Sequence, residues 1–124
     1  MAIYIDENTN VLIQGITGNQ GTFHARQMVA YGTKVVAGTS PGKGGQKVDE
    51  IPVYNSVAEA MENHQIDASI LVVPAKFSKE VAFEVIQAGV KVLVLLPEHI
   101  PVHDAMAIMN YAEAKGTTII GPNT

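Results

Sequence analysis

The stretch NVLIQGITGNQG (Asn10–Gly21) decides the fold. Asn10–Gln14 is a short apolar run with β-branched residues and reads as a strand. Gly15, Gly18 and Gly21 follow it at every third position. Asn19–Tyr31 then reads as a helix, with Phe23, Met28 and Tyr31 at helical spacing and Gly32 to stop it. A strand that runs through a glycine turn into a helix is how nucleotide-binding sheets open, but many such turns hold nothing, and the loop alone is a weak signal. The usual dinucleotide pattern is G-x-G-x-x-G; here one extra residue separates the first two glycines.

Beyond this unit the chain keeps alternating. TKVVAG reads as the second strand and IPVYN as the third. Between them, TSPGKGGQKVDEI (Thr39–Ile51) reads as loop. Ser56 caps the helix VAEAMENH, with Glu59 three residues on. DASILVVP is a fourth strand, apolar throughout and therefore expected to be covered on both faces. Ser78 is expected to cap KEVAFEVIQAG. KVLVLLP is the fifth strand. Pro101–Lys115 reads as a helix with Ala105, Ile108, Met109 and Ala112 on one face, with Met106 also in its core, and TTIIG is the sixth strand. MAIYI, at the start, is a marginal extra strand. The alternation predicts an α/β, Rossmann-like doubly wound parallel sheet with helices on both faces and strand order 3-2-1-4-5-6. Residues 1–124 are expected to form a single domain.

In that topology ligands bind outside the carboxyl ends of the strands, where the order reverses. The segments at those ends are GITGNQG, TSPGKGG, PAKF, PEH and GPNT, the Gly- and Pro-rich parts of the chain. Thr17–Gly21 opens a helix, whose free N–H groups and partial positive charge suit an anion. An NAD site would carry an acidic residue about 20 residues beyond the glycine turn. The second strand instead runs into Pro41-Gly42-Lys43-Gly44-Gly45. A lysine between glycines can meet a phosphate as a point charge. That disfavours NAD and leaves two carriers of a ribose phosphate beside a pyrophosphate, NADP and coenzyme A.

Composition narrows the classes further. There is no cysteine among 124 residues, which excludes disulfides, thiolate metal sites and a cysteine nucleophile. The net charge of −4 argues against nucleic acid or an anionic membrane as partner. No apolar run approaches the ~20 residues of a membrane span, the start does not resemble a signal peptide, and the cytoplasm is the expected location. Charged residues make up 16% of the chain, against roughly 25% in an average soluble domain; a fully buried sheet accounts for this, and so does a surface that meets another subunit or domain. His99 and His103, with Glu98 and Asp104, are a candidate metal set, but Pro101 between them denies one continuous helix. Ser40, Ser56, Ser69 and Ser78 lack the context of a nucleophile elbow.

Taken together, GITGNQGTFHARQM, YGTKVVAGTSPGKGG, PVYNSVAEA, VVPAKF, PEHIPVHD and IIGPN resemble the α subunit of succinate–CoA ligase, over essentially the whole chain and in order. The resemblance implies a domain that binds coenzyme A. It places the family's binding residues at Thr17, Gly18, Asn19, Gln20, Lys43, Val73, Pro74, Leu96, Pro97 and Glu98. It also implies a β subunit carrying the nucleotide, and a parent enzyme that interconverts succinyl-CoA, phosphate and a nucleoside diphosphate with succinate, CoA and the triphosphate. Two departures stand out. The family chain is roughly twice as long, two domains of typical size, and its second domain bears a phosphorylated histidine; none of His24, His64, His99 and His103 falls in that motif. Thr124 stands where the family commonly has cysteine. The chain alone is therefore expected to bind CoA and to lack ligase activity. A free-standing regulatory CoA-binding module and an NADP-binding oxidoreductase domain are the alternatives.

Overall fold

The computed structural model describes residues 8–97 and 99–121. Its elements are β1 (Val11–Gln14), α1 (Asn19–Ala30), β2 (Val35–Thr39), β3 (Lys47–Val48), β4 (Ile51–Tyr54), α2 (Val57–Asn63), β5 (Ala68–Leu71), α3 (Ser78–Gln87), β6 (Val92–Leu95), α4 (Val102–Lys115) and β7 (Thr118–Ile120). The sheet order is β3-β4-β2-β1-β5-β6-β7. Every pairing is parallel except β3 with β4. Without β3 this is the doubly wound order expected from the sequence. The proposed strand over MAIYI lies outside the described residues.

β3 corrects the reading of Thr39–Ile51 as loop. Lys47 pairs with Pro52 and Val48 with Ile51, so Asp49 and Glu50 form a two-residue hairpin turn. Asp49 sits at φ 56, a left-handed conformation that short polar side chains tolerate. Val48 is the strand's single apolar residue, too little for a hydrophobic pattern.

The apolar strands β1 and β5 are buried along their whole length, at the centre of the sheet. One face packs under α2, α3 and α4, around Leu12, Leu71, Val85, Leu93 and Ile108. The other face carries α1 and the cluster of Val11, Ile13, Ile16, Ala25 and Val53. That second face is covered unevenly. Along β6, Leu93 and Leu95 are buried while Val92 and Val94 are half-buried; α1 packs over β1 and β2.

Three helix readings change. Phe23 and Tyr31 of α1 are 54% and 88% exposed, and the buried residues are Gly21 and Ala25. A helix that must approach the sheet this closely meets it with small residues, which give no hydrophobic signal. On α4, Ile108 and Ala112 are buried as expected, but Met106 and Met109 are exposed. Ser56 caps α2 as expected, its hydroxyl accepting from the Glu59 amide at 3.2 Å. Ser78 does not cap α3: a 3₁₀ turn, Ala75–Phe77, precedes it and makes Ser78 the first helical residue. Its hydroxyl is buried and has no hydrogen-bond partner among the described residues.

A buried unsatisfied hydroxyl is destabilising. Ser78→Ala is therefore expected to raise stability by about 1 kcal/mol, read as a higher urea midpoint at unchanged slope. A lower midpoint would show that the hydroxyl is engaged.

Candidate functional site

The site begins at the carboxyl end of β1. Gly15 turns the chain at φ 89. Its amide and that of Ile16 both donate to the Thr39 carbonyl, at 2.8 and 3.3 Å. This folds the turn back over the end of β2. Ile16 is fully buried beneath the turn, in space left by Gly38, where a Cβ would come within 2.5–2.7 Å of the Ile16 side chain. The Gly18 amide closes on the Gly15 carbonyl at 3.2 Å, and the Thr22 hydroxyl donates to the Ile16 carbonyl at 2.8 Å. Gly18 is the N-cap of α1; no side chain caps the helix and no acidic residue sits in its first turn. The positive end of the helix dipole is left to an external partner.

Below the turn, the buried Gln14 side chain ties β1 to its neighbours. Its amide nitrogen donates to the Val81 carbonyl at 2.9 Å and its oxygen accepts from the Ser69 hydroxyl at 2.8 Å. The Val72 amide donates to the Gln14 carbonyl at 2.9 Å, and the Leu96 amide to the Leu71 carbonyl at 3.3 Å. The ends of β1, β5 and β6 are thereby held side by side.

They enclose a cleft of about 540 Å³ lined by Gly18–Gly21, His24, Val72–Pro74, Leu96 and Pro97. This is the point where the strand order reverses, the position doubly wound sheets use for ligands, and the volume lies in the range of ligand sites. One side is helix N-terminus and amide side chains, the other valine, proline and leucine. A molecule with an anionic part and an apolar part fits both.

Of the residues singled out in the sequence, Gly18, Asn19, Gln20, Val73, Pro74, Leu96 and Pro97 come together in the cleft wall. Thr17 and Lys43 are not part of that wall. The Thr17 hydroxyl lies 2.7 Å from the Ser40 hydroxyl. Lys43 ends an exposed turn closed by its amide on the Ser40 carbonyl at 3.0 Å, with Gly42 at φ 79, and its ammonium has no partner among the described residues. Glu98 lies outside the described residues. The sequence reading did not single out Val72 or His24. His24 stands one helical turn beyond Gln20, and that spacing was a usable signal. Beside the site, Arg26 binds Asp49 through two nitrogens at 3.1 and 3.3 Å, tying α1 to the β3–β4 hairpin. The hydrogen bond to Asp49, and then its charge, raise the Arg26 pKa.

The three glycines of the turn differ in what the fold asks of them. A Cβ on Gly15 would overlap the Val72 carbonyl, and one on Gly21 the Gly15 carbonyl. On Gly18 the nearest atom would be the Gly15 carbonyl oxygen at 3.6 Å, an ordinary contact, and the backbone at φ −70, ψ 162 suits any residue. The fold requires glycine at 15 and 21 but not at 18, where the bare backbone faces the cleft. That is the cradle an approaching phosphate needs.

A doubly wound sheet with an anion-ready cleft at its switch point defines a nucleotide-type cofactor-binding domain. The chain belongs to the CoA-binding domain family, whose signature matches residues 6–99. It is 56% identical to the α subunit of the ADP-forming succinate–CoA ligase of Methanothermobacter thermautotrophicus over 122 residues, 98% of this chain and 41% of that protein. It is 44% identical to the ADP-forming sulfoacetate–CoA ligase subunit SqwL of an Acholeplasma species, over all of this chain and 42% of that protein. The chain thus spans about two fifths of the length of these relatives. Among solved structures, PH0766 of Pyrococcus horikoshii superposes with a TM-score of 0.79 at 22% identity, covering 97% of this chain and 29% of that one; at that identity the likeness is one of fold. Coenzyme A is the ligand of this domain family. Among the described residues no helix is long and apolar enough to cross a membrane.

Proposed function

We propose that the cleft at the β1–β5 switch point holds coenzyme A as part of an NDP-forming acid–CoA ligase, with succinate as the acid. The observation that carries this is Gly18: a glycine the fold does not need, at an uncapped helix start, facing the cleft. The phosphates lie against the first turn of α1, at Gly18, Asn19 and Gln20, with Thr17 supporting that turn. Val73, Pro74, Leu96 and Pro97 form the apolar wall, and Glu98 continues that segment in the sequence. Lys43 supplies a mobile positive charge for a further phosphate. When bound, coenzyme A supplies a thiol. The domain's part is to fix that thiol where an acyl phosphate formed elsewhere in the enzyme can reach it, which is catalysis by positioning.

The acid and the phosphoryl chemistry belong outside this domain. The relative named for sulfoacetate is as similar to this chain as some of those named for succinate, as expected if the shared part grips the shared substrate. A second domain carrying a phosphorylated histidine and a β subunit with the nucleotide complete the proposed enzyme. The half-covered β6 face and the low share of charged residues are consistent with such contacts. The 124-residue chain alone is expected to bind CoA without ligase turnover.

Calorimetry with CoA tests the reading directly. Saturable binding is expected, weakened about tenfold in Lys43→Ala, with the gap between the two proteins closing at high salt. NADP run in parallel discriminates the dehydrogenase alternative. A saturable response to NADP with none to millimolar CoA would overturn the proposal.

A further inference from the structure

Ser40 stands where three segments of the carboxyl edge meet. Its amide donates to the Tyr54 carbonyl at the end of β4, at 3.0 Å. Its carbonyl accepts from the Lys43 amide at 3.0 Å, closing the Ser40–Lys43 turn. Its hydroxyl meets the Thr17 hydroxyl at 2.7 Å, across 23 residues of sequence. The far side of the Lys43 turn is held by backbone alone: the Gly45 amide donates to the Val53 carbonyl at 3.0 Å and the Gln46 amide to the Lys43 carbonyl at 3.2 Å. Pro41, Gly42 and Lys43 are exposed, and among the described residues no side chain other than those of Ser40 and Asn55 binds the segment, Asn55 accepting from the Gly44 amide at 2.9 Å. The cleft wall begins at Gly18, the residue after Thr17. The hydroxyl pair is therefore the side-chain link between the cleft turn and the lysine turn.

We infer that Ser40 is a positioning residue of the coenzyme site: its bond to Thr17 sets the Lys43 turn against the glycine turn, so that the two grip one ligand. The inference rests on the cleft being the CoA site. The chemistry gives it a direction. A lysine on a glycine-flanked, exposed turn explores many orientations, and holding the base of that turn lowers the entropy lost when its ammonium meets a phosphate. Either hydroxyl can donate in the pair, so threonine at position 40 keeps the link and alanine removes it. The backbone bonds of Ser40 do not depend on its side chain, so the fold keeps its anchor to β4 in both variants.

The test is a cycle of four proteins plus a rescue, all as the full chain titrated with CoA by calorimetry. Ser40→Ala is expected to bind CoA about fivefold more weakly than the unaltered protein, with a melting temperature in the absence of ligand lowered by only about 5 °C, so that the protein stays folded throughout the titration. Ser40→Thr should restore affinity to within about twofold. In a Lys43→Ala background, Ser40→Ala should cost less than about twofold, because a device that positions Lys43 has nothing left to position. Wild-type affinity in Ser40→Ala, no rescue by threonine, or an undiminished loss without Lys43 would each overturn the inference. No CoA binding by the unaltered protein would instead overturn the assignment of the cleft.

Discussion

Gly21→Ala is expected to destabilise the protein by about 3 kcal/mol or more. The added Cβ would overlap the Gly15 carbonyl oxygen and come within 2.8 Å of its carbon and 2.9 Å of the Ile16 Cα. These are backbone atoms, so no rotamer change relieves them. Gly15 cannot retreat, because its amide is bonded to Thr39 and a shift would drive it against Val72. The first turn of α1 must therefore lift from the end of β1. Ala25 lies one turn further on and is fully buried, so lifting the helix also opens the core cluster beneath it. Urea denaturation at matched slope measures the loss. Near-native stability in Gly21→Ala would show that α1 does not cross β1 as closely as described.

The contrast with the helix faces shows what a sequence of this kind discloses. The sheet order is legible because strand–helix alternation and right-handed crossovers leave few topologies, and β1, β5 and β6 are apolar enough to stand out. The Gly- and Pro-rich ends of these strands marked the edge that carries the cleft for the same reason: regular elements consume the apolar residues and leave the turns conspicuous. The errors fall where the deciding quantity is not hydrophobicity. α1 docks through Gly21 and Ala25, so its aromatic residues point the wrong way. Ser78 has a capping residue's identity, but the preceding 3₁₀ turn moves it inside the helix. β3 is fixed by a hairpin turn rather than by apolar pattern. In the site, the segments could be named but not the directions of their side chains. Thr17 turning to Ser40, and Lys43 standing off the cleft wall, are consequences of tertiary hydrogen bonds that spacing does not encode.

Spacing also presented Gly15, Gly18 and Gly21 as equals, and a single substitution separates them. Gly18→Ser is expected to leave the ligand-free protein as stable as before, or more stable by a few tenths of a kcal/mol, because serine is a preferred N-cap and glycine a tolerated one. The backbone at Gly18 already has the extended conformation an N-cap adopts, and the new Cβ meets nothing closer than 3.6 Å. The same change should weaken CoA binding about a hundredfold, the equivalent of one strong charge-assisted hydrogen bond. Two effects add. The side chain occupies the cradle that faces the cleft, and its hydroxyl takes the first-turn amides of Gln20 or Gly21 that a phosphate would otherwise use. A more stable protein with a ruined site is the mark of a residue chosen for its ligand rather than for its fold. Tight CoA binding by Gly18→Ser would place the phosphates away from the start of α1 and leave this cleft without its anion.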